Sequence, residues 1–340
     1  MKTKTFTLLL LCIQFSVFAC KKADTPEVTN ARKGSTFYVD AKNGDDNNNG
    51  KTPAKAWKSL QKINGYQFMA GDSLLFKAGD RWAGQLTPKG SGDAANPIVV
   101  SVYNGTKKAL LDGEGKVSEV LKLEDVDYWE VNHLEITNNA TTIGSRLGVL
   151  VKDNGASRKH IHLKNLYIHD IMGDYSFEMK GKNTGGIGII GTAESKFDDI
   201  LIEDCEIANV VRLGIFTNLT DGKKAVKGNR PITNLVIRRN KIHHCAGDGV
   251  IVRYTYRALV EHNEVWETHN ADEELVRYGV ALWCRSTDET VFQYNEVYNT
   301  RGGKDGQAFD ADEDAYRTLI QYNYSHDNEG GFVLITSTSE

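Results

Sequence analysis

One short motif recurs along the chain and constrains its fold more than any other feature. Each copy begins with an apolar residue, and all but the last end in Ile or Val. The copies are VNHLEI (131–136), LKNLYI (163–168), IEDCEI (202–207), IRRNKI (237–242), VEHNEV (260–265), FQYNEV (292–297) and IQYNYS (320–325). They start 23 to 39 residues apart, so each unit is too short to bury a core of its own. We therefore expect the units to stack on one another as a solenoid.

A second apolar stretch, opened by glycine, follows each copy of the motif. Examples are GVLVK (148–152), GVIVR (249–253) and GVALW (279–283). The first and third residues after glycine, such as Val280 and Leu282, are mostly β-branched or large and apolar, so we expect them to face inward. The second and fourth then face outward. Two strands per repeat favour a parallel β-helix over a leucine-rich repeat, which needs a regular period of about 20–29 residues.

The fourth position of the motif changes from apolar residues to asparagine along the chain. It is occupied by Leu134, Leu166, Cys205, Asn240, Asn263, Asn295 and Asn323. An asparagine that recurs in a turn can stack coil on coil, because it hydrogen-bonds backbone groups that would otherwise lack partners inside the protein. We expect the four asparagines to stack in this way.

The residues before the repeats predict a cap for the open end of the solenoid. Residues 37–64 contain a strand, a turn rich in Gly, Asn and Asp, and a short amphipathic helix with Trp57, Leu60 and Ile63. Such an end needs cover because it exposes strand edges and core. Over about residues 36–340 the chain resembles secreted pectin-lyase-like β-helix proteins, many of them carbohydrate-active lipoproteins. Repeats and resemblance together predict an all-β, single-stranded right-handed parallel β-helix with an N-terminal strand and helix cap.

The first residues of the chain are typical of an export signal. Two lysines precede an apolar run of 13 residues (6–18), which is too short to span a membrane as a helix. The run ends in SVFAC, where Cys20 after a small alanine resembles a bacterial lipobox. We therefore predict a lipoprotein signal at 1–19, lipidation of Cys20 and a polar tether at 20–35. The protein would be attached to the outer membrane or cell surface of a bacterium, and the alternative is a plain secretory signal.

The far end of the sequence shows no cap. It stops at FVLITSTSE (332–340), directly after a predicted core strand. We expect either a short cap within residues 337–340 or a longer protein of which this chain is a part.

Charge and cysteine content narrow the possible partners. The formal net charge is −4, and removal of residues 1–19 takes away two lysines and no acid, which makes it −6. Such mild acidity argues against nucleic acid as the partner. We expect a monomer that meets the membrane only through its lipid anchor. Cys205, Cys245 and Cys284 lack a metal-binding spacing, so we expect buried free thiols.

Polar and aromatic residues gather on outward positions of the last four coils. In successive coils, the fourth residues after glycine are expected to form one column, and the residues directly before glycine are expected to form a second. The first column contains Arg253, Trp283 and Asp310, with Arg285 and Asp312 two residues further along, and the second contains Asp248, Tyr278 and Asp305. Both columns change together from apolar or small residues to acidic, basic and aromatic ones. We therefore predict a cleft at this place, overhung by the loop 267–278.

The predicted cleft suits a glycoside hydrolase. Cleavage of a glycosidic bond by water needs one carboxylic acid and one carboxylate. We predict Asp310 as one of them and Asp305 or Asp312 as the other. Arginines can bind a carboxylate on a sugar, so the expected substrate is a plant or algal type of polysaccharide, uronate-containing ones included. The predicted substrate-binding residues are Arg253, Trp283, Arg285, Tyr278, Asp248, His326 and Glu329.

Two other functions stay open at this point. A polysaccharide lyase would use Arg253, Arg285 or Lys304 as its base, with calcium to neutralise the carboxylate of the substrate. The calcium ligands would be Asp310, Asp312, Glu313 and Asp314. Their DADED spacing differs from an EF-hand, and no cofactor other than calcium is expected. A non-catalytic surface protein would instead bind the glycan without turnover.

Two histidine pairs, His160 with His162 and His243 with His244, lie within the repeats. We expect them to be surface or hydrogen-bonded side chains rather than metal ligands.

Overall fold

The computed structural model describes residues 34–173, 183–220, 226–270, 276, 278–302 and 304–336. These residues lie within one compact unit, Lys33–Glu340. The predicted signal, Cys20, most of the predicted tether and residues 337–340 lie outside the described residues. Within the described ranges, no helix is long and apolar enough to cross a membrane.

The described chain winds repeatedly through three parallel sheets, here named face 1, face 2 and face 3. Face 1 comprises Thr36–Val39, Ser73–Lys77, Ile98–Tyr103, Trp129–Asn132, Ser157–Lys164, Lys196–Glu203, Ile232–Arg238, Thr255–Tyr256, Leu259–Glu261, Thr287–Asp288, Val291–Gln293, Ala315–Tyr316 and Leu319–Gln321. Face 2 comprises Arg81–Ala83, Ala109–Asp112, Leu134–Asn138, Tyr167–Ile171, Glu206–Val210, Lys241–Cys245, Glu264–Thr268, Glu296–Tyr298 and Tyr324–His326. Face 3 comprises Glu119–Glu124, Leu147–Lys152, Gly185–Gly191, Leu213–Leu219, Val250–Arg253, Leu282–Arg285, Phe309–Ala311 and Val333–Ile335. Outside the three faces lie the helix Leu60–Asn64, the 3₁₀ helix Pro53–Lys55 and the strand pair Gln67–Met69 and Lys89–Ser91.

Each strand on a face pairs in parallel with its counterpart one coil away. Val265, for example, lies between Ile242 of the preceding coil and Val297 of the following one. A chain that returns to the same face once per turn, with right-handed crossovers, forms a single-stranded parallel β-helix. This confirms the predicted fold.

Each copy of the sequence motif forms a corner between face 1 and face 2. Its third residue has the left-handed backbone conformation, with φ between 53° and 59°. These corner residues are His133, Asn165, Asp204, Arg239, His262, Tyr294 and Tyr322. The described coils from Trp129 onward therefore contain at least three strands where the sequence predicted two. One left-handed residue suffices to start a new sheet, and it leaves no break in the apolar pattern that the sequence could reveal.

The asparagines that follow the corner residues stack in a buried ladder, as predicted. The side-chain oxygen of Asn263 accepts from the backbone N–H of Asn240 (3.0 Å), and its amide group donates to the carbonyl of Ile237 (3.0 Å). Asn295 and Asn323 make the same two kinds of contact in the next coils. Each rung therefore satisfies one backbone donor and one backbone acceptor that face the interior.

The N-terminal end is closed by the predicted strand and helix. The strand Thr36–Val39 pairs with the first coil, and the helix Leu60–Asn64 buries Ile63 against it. The ring of Phe37 stacks on Trp57 with 4.7 Å between centroids. Both rings are almost fully buried, so they cover core that would otherwise meet water.

The cysteines of the β-helix are buried free thiols, as expected. Cys205, Cys245 and Cys284 each lie in the core without a disulfide partner. Burial raises the pKa of Cys205 to about 12 and that of Cys284 to about 11. Such thiols stay protonated at neutral pH and act as small apolar side chains.

Asn263→Ala tests the ladder. The substitution leaves the N–H of Asn240 and the carbonyl of Ile237 buried without their partner, so we expect it to lower the free energy of unfolding by about 2–4 kcal/mol. The matched control is Asn270→Ala, because Asn270 is exposed. Urea unfolding followed by circular dichroism measures both. Equal midpoints for the two variants would show that the ladder contributes nothing to stability.

Candidate active site

The polar residues of the last coils lie on the outward side of face 3. Parallel pairing places Asp310 beside Trp283, and Trp283 beside Ile251. Arg253 lies beside Arg285 instead. The predicted column of three is therefore correct for Trp283 and Asp310 and wrong for Arg253.

The turn before each strand explains this error. Val250 directly follows Gly249, yet it pairs with Leu282, which lies three residues after Gly279. The same shift moves Val280, which was predicted to face inward, into a separate apolar cluster outside the main core. Glycine marks the turn but not its length. The hydrogen bonds between coils decide the register.

The outward side of face 3 also carries a buried apolar cluster, which runs from earlier coils as far as Trp283. Its cluster consists of Leu147, Leu150, Leu213, Phe216, Ile251, Val280 and Trp283. Asp310 continues the line of Phe216, Ile251 and Trp283 into the next coil. Its carboxyl group therefore has apolar neighbours on one side, where the sequence had predicted a cleft lined by polar and aromatic residues.

Asp310 is the most strongly perturbed acid of the site. It is 7% exposed, and its Oδ1 atom has no hydrogen-bond partner among the described residues. Burial, followed by the negative charges of Asp312, Asp305 and Asp248, raises its pKa to about 7. A carboxylic acid with this pKa still holds its proton near neutral pH and can give it up there, which a general acid requires.

Asp312 has the opposite environment, although it lies only two residues away. Its Oδ1 atom accepts from the hydroxyl of Thr336 (2.7 Å) and from the backbone N–H of Glu313 (2.7 Å). Its other oxygen lies 3.7 Å from the guanidinium of Arg285. The two acids therefore differ in environment, and Asp312 is the candidate for the nucleophile or general base.

Asp305 belongs to the loop before the strand Phe309–Ala311, and its charge reaches Asp310. Gly306, next to it, has a φ of 92°, and a Cβ atom there would lie 2.7 Å from the Cα of Gly302. Glycine is therefore required for the loop to close. The N–H of Gly306 donates to the carbonyl of Gly279 (3.0 Å), which ties the loop to the preceding coil.

Trp283 and Asp248 form the floor of the site. The indole N–H of Trp283 and the backbone N–H of Val280 both donate to Oδ1 of Asp248, at 2.9 and 3.1 Å. Asp248 thus lies against Val280 and not in a column with Tyr278, as was predicted. At 4% exposed, Trp283 offers almost no surface for a sugar to stack on. The guanidinium carbon of Arg253 lies 4.9 Å from the centre of its ring.

The accessible edge of the site carries arginine, lysine, tyrosine and acidic side chains. Arg285 is partly exposed and pairs with Glu313 and Asp312. Tyr278 is exposed, and the amino group of Lys304 lies 5.5 Å from its ring. Much of the predicted overhanging loop, residues 271–275 and 277, lies outside the described residues.

His326 and Glu329 are not part of this group, so their predicted placement in the cleft is wrong. His326 belongs to face 2, where its ring stacks on Tyr298 with 4.9 Å between centroids. The corner at Tyr322 takes the chain from face 1 to the strand of face 2 that holds His326. Glu329 accepts from the N–H of Gly302 (2.8 Å) and pairs with Arg301, so it supports the loop that carries Asp305.

The four predicted calcium ligands do not converge. Glu313 pairs with Arg285, and Asp314 pairs with the buried Arg230 at 2.9 Å. Within the described residues, these acids are not among the groups whose donor atoms lie together as for a metal ion. A calcium ion bound by all four would have to displace both arginines.

Arg212 is a residue of this region that sequence reasoning missed. It is fully buried with a φ of 122°, and none of its guanidinium nitrogens has a hydrogen-bond partner among the described residues. One nitrogen lies 3.9 Å from Oδ2 of Asp248. A single arginine inside the apolar run NVVRLGIF was the available signal, because an unpaired buried charge is costly.

Comparisons with known proteins agree with this architecture. The family model for the right handed beta helix region matches residues 123–340. The chain belongs to this family. The β-helix is also similar to a solved lacto-N-biosidase of the GH136 group from Eubacterium ramulus, with 25% identity, a TM-score of 0.79, and coverage of 89% of this chain and 57% of that one.

Two further proteins are similar to this β-helix. It is 29% identical to the lacto-N-biosidase of Bifidobacterium longum over 90% of this chain and 25% of that protein. The chain thus spans only part of the length of both lacto-N-biosidases. An alginate lyase from Paenibacillus shares the fold, at 16% identity and a TM-score of 0.52.

Asp310→Asn tests the buried acid through stability. The pKa of Asp310 rises from 3.8 to about 7 on folding, so between pH 4 and 7 the folded state binds more protons than the unfolded state. The free energy of unfolding therefore falls as the pH rises through this range. The variant removes that loss. We expect the variant and the wild type to have the same melting temperature near pH 4. At pH 8 the variant should melt at a higher temperature, and its free energy of unfolding should be larger by up to about 4 kcal/mol.

Asp312→Asn is the matched control, because Asp312 is hydrogen-bonded and close to Arg285. It should show no gain in stability at pH 8. If Asp310→Asn differed from the wild type by the same amount at both pH values, Asp310 would not be a buried acid that titrates near neutrality.

Proposed function

We propose that the protein is a glycoside hydrolase whose reaction uses the carboxyl groups of face 3. The observation that supports this most directly is the pair of unlike acids at one strand end: Asp310 is buried, with its pKa raised to about 7, and Asp312 accepts hydrogen bonds and lies near Arg285. Cleavage of a glycosidic bond needs two carboxyl groups in different roles, one of which donates a proton. The likeness to lacto-N-biosidases supports the same class of reaction.

Each acid has a distinct task in this reaction. Asp310 donates its proton to the glycosidic oxygen, so the bond to the leaving sugar breaks without release of an alkoxide. Asp312, or Asp305 in its place, either attacks the anomeric carbon or takes a proton from the water that does so. Residues two apart on a strand are about 6.6 Å apart, which is at the lower limit of the carboxyl separations typical of inverting enzymes and above those of retaining ones.

We further propose an oligosaccharide or polysaccharide substrate bound along the accessible edge of the site. Arg285 and Tyr278 are exposed enough to contact sugar, and Arg253 reaches the floor beside Trp283. Lacto-N-biosidase activity is the first to test, because two relatives carry that name. Arg285 and Lys304 lie at this edge, so glycans with acidic sugars, uronates included, form the second group.

Three amide variants test the proposed roles. The activities of Asp310→Asn, Asp312→Asn and Asp305→Asn are compared with that of the wild type. The substrates are an aryl lacto-N-bioside and a panel of neutral and acidic glycans, and the assay measures the release of reducing sugar. Loss of a general acid typically lowers kcat by about 10²–10⁴-fold. Asp204→Asn is the matched control, because Asp204 is exposed, pairs with Arg239 and lies at a corner between face 1 and face 2. This variant should keep full activity.

The same assays separate the alternatives. A wild-type protein that binds glycans without turnover would be a binding protein, and undiminished activity of Asp310→Asn would remove Asp310 from the mechanism. A lyase would produce ultraviolet absorbance from an unsaturated product and lose activity with a chelator. Addition of azide to Asp312→Asn and Asp305→Asn identifies the nucleophile, because only the variant that lacks it should regain activity as a glycosyl azide forms.

We also propose that the protein is exported and attached to the outer membrane or cell surface through Cys20, as a monomer. The support is the basic and apolar start of the chain and the cysteine after alanine. Cys20→Ala should abolish labelling by radioactive fatty acid and move the protein from the membrane fraction to the soluble exported fraction. Equal labelling of wild type and variant would contradict the anchor.

A further inference from the structure

A second cluster of titratable side chains lies on face 1, on a different sheet from the acids of face 3. Glu130 belongs to the strand Trp129–Asn132, and His160 and His162 belong to the strand Ser157–Lys164 of the next coil. Parallel pairing places His162 beside Glu130. The ring centroids of the two histidines are 3.8 Å apart, so the three side chains gather at one point.

The spacing of the donor atoms fits a metal ion. One donor atom from each of the three residues lies within 4.8 Å of the other two. Nε2 of His160 is 3.2 Å from Oε1 of Glu130. A zinc ion with tetrahedral bonds of about 2.0–2.1 Å holds its ligand atoms about 3.3 Å apart, which matches that separation.

Asp199, from the following coil, orients both imidazole rings. Its Oδ2 atom lies 2.7 Å from Nδ1 of His160, and its Oδ1 atom lies 3.0 Å from Nε2 of His162. Histidines that bind metals usually donate their second N–H group to a carboxylate, which holds the ring in place. For His160 this leaves Nε2, the nitrogen that faces Glu130, for the ion.

Glu130 is ionised and has one oxygen available. Its Oε2 atom pairs with the amino group of Lys164 at 3.0 Å, while Oε1 faces the histidines. Although burial opposes it, the hydrogen bonds from Lys164 and His160 hold the pKa of Glu130 below its ordinary value. A partly buried carboxylate beside two imidazoles is a common ligand set for Zn²⁺.

A histidine that only hydrogen-bonds to acids needs no second ring in this fold. His169 shows this simpler arrangement, since its nitrogens lie 2.7 Å from Asp170 and 3.3 Å from Glu135 as a single ring between two acids. At positions 160 and 162 two rings lie together instead, both within hydrogen-bonding distance of Asp199 and close to the carboxylate of Glu130.

We propose that Glu130, His160 and His162 bind one divalent transition-metal ion, Zn²⁺ in the first place, with Asp199 orienting the two imidazoles. Two imidazole nitrogens favour Zn²⁺, Ni²⁺ or Cu²⁺ over Ca²⁺ and Mg²⁺. The ion joins two successive coils directly and a third through Asp199. It therefore stabilises the middle of the β-helix, and this reverses the expectation from sequence that these histidines bind no metal.

The experiment uses the full chain without a polyhistidine tag, treated with chelator and dialysed. Titration calorimetry with ZnCl₂ at pH 7.5 should show one saturable site, and the melting temperature should rise when the site is filled. Asp199→Asn should weaken binding by about 10–100-fold, as expected for loss of a residue that orients ligands. His162→Ala should abolish the high-affinity site. The melting temperature of each variant without metal shows whether its fold is kept, and Glu130→Gln replaces any variant that fails this test.

His169→Ala is the matched control, because His169 also lies between two acids but has one ring. It should bind Zn²⁺ like the wild type. Absence of a saturable site in the wild type, or full binding by His162→Ala, would overturn the proposal, as would loss of binding in His243→Ala instead. The outcome is independent of the proposed hydrolase, whose acids lie on face 3.

Discussion

The register between successive coils is the constraint on which the rest of this structure depends. Parallel strands in a β-helix meet only their counterparts one turn away, so every inward and outward position follows from that alignment. The ladder from Asn240 to Asn323 holds the alignment where the coils turn, because its amides bind backbone groups that no strand can reach. A left-handed residue before each rung makes the corner.

The candidate site results from the same stacking. Phe216, Ile251 and Trp283 line up on the outward side of face 3, and Asp310 occupies the next place in that line. A carboxyl group placed there loses hydration, while Asp312 beyond the strand end gains hydrogen bonds and a nearby arginine. Two acids of one short segment thus acquire different environments from their position along the coil, and hydrolysis of a glycosidic bond uses two carboxyl groups in different roles.

Much of the fold could be predicted from the sequence, but less of the site. The motif revealed the solenoid, the asparagines revealed the ladder, and Trp57 with Ile63 revealed the cap, because each repeats or patterns apolar and polar residues at short range. Arg253 was misplaced because glycine positions do not report the length of a turn, and His326 was assigned to the wrong face because the sequence does not reveal the corner at Tyr322. Arg212 escaped notice since its neighbours in space are distant in sequence.

The sequence by itself determined that the chain forms stacked coils joined by a ladder of asparagines. It also determined that acids, arginines and aromatic residues cluster in the last coils. Only the tertiary structure decided which of those acids is buried, which histidines face one carboxylate, and that Trp283 is a floor rather than a sugar platform. The physical reason is that burial, charge and hydrogen bonding depend on residues one coil away, about 23 to 39 positions along the chain, where local patterns carry no information.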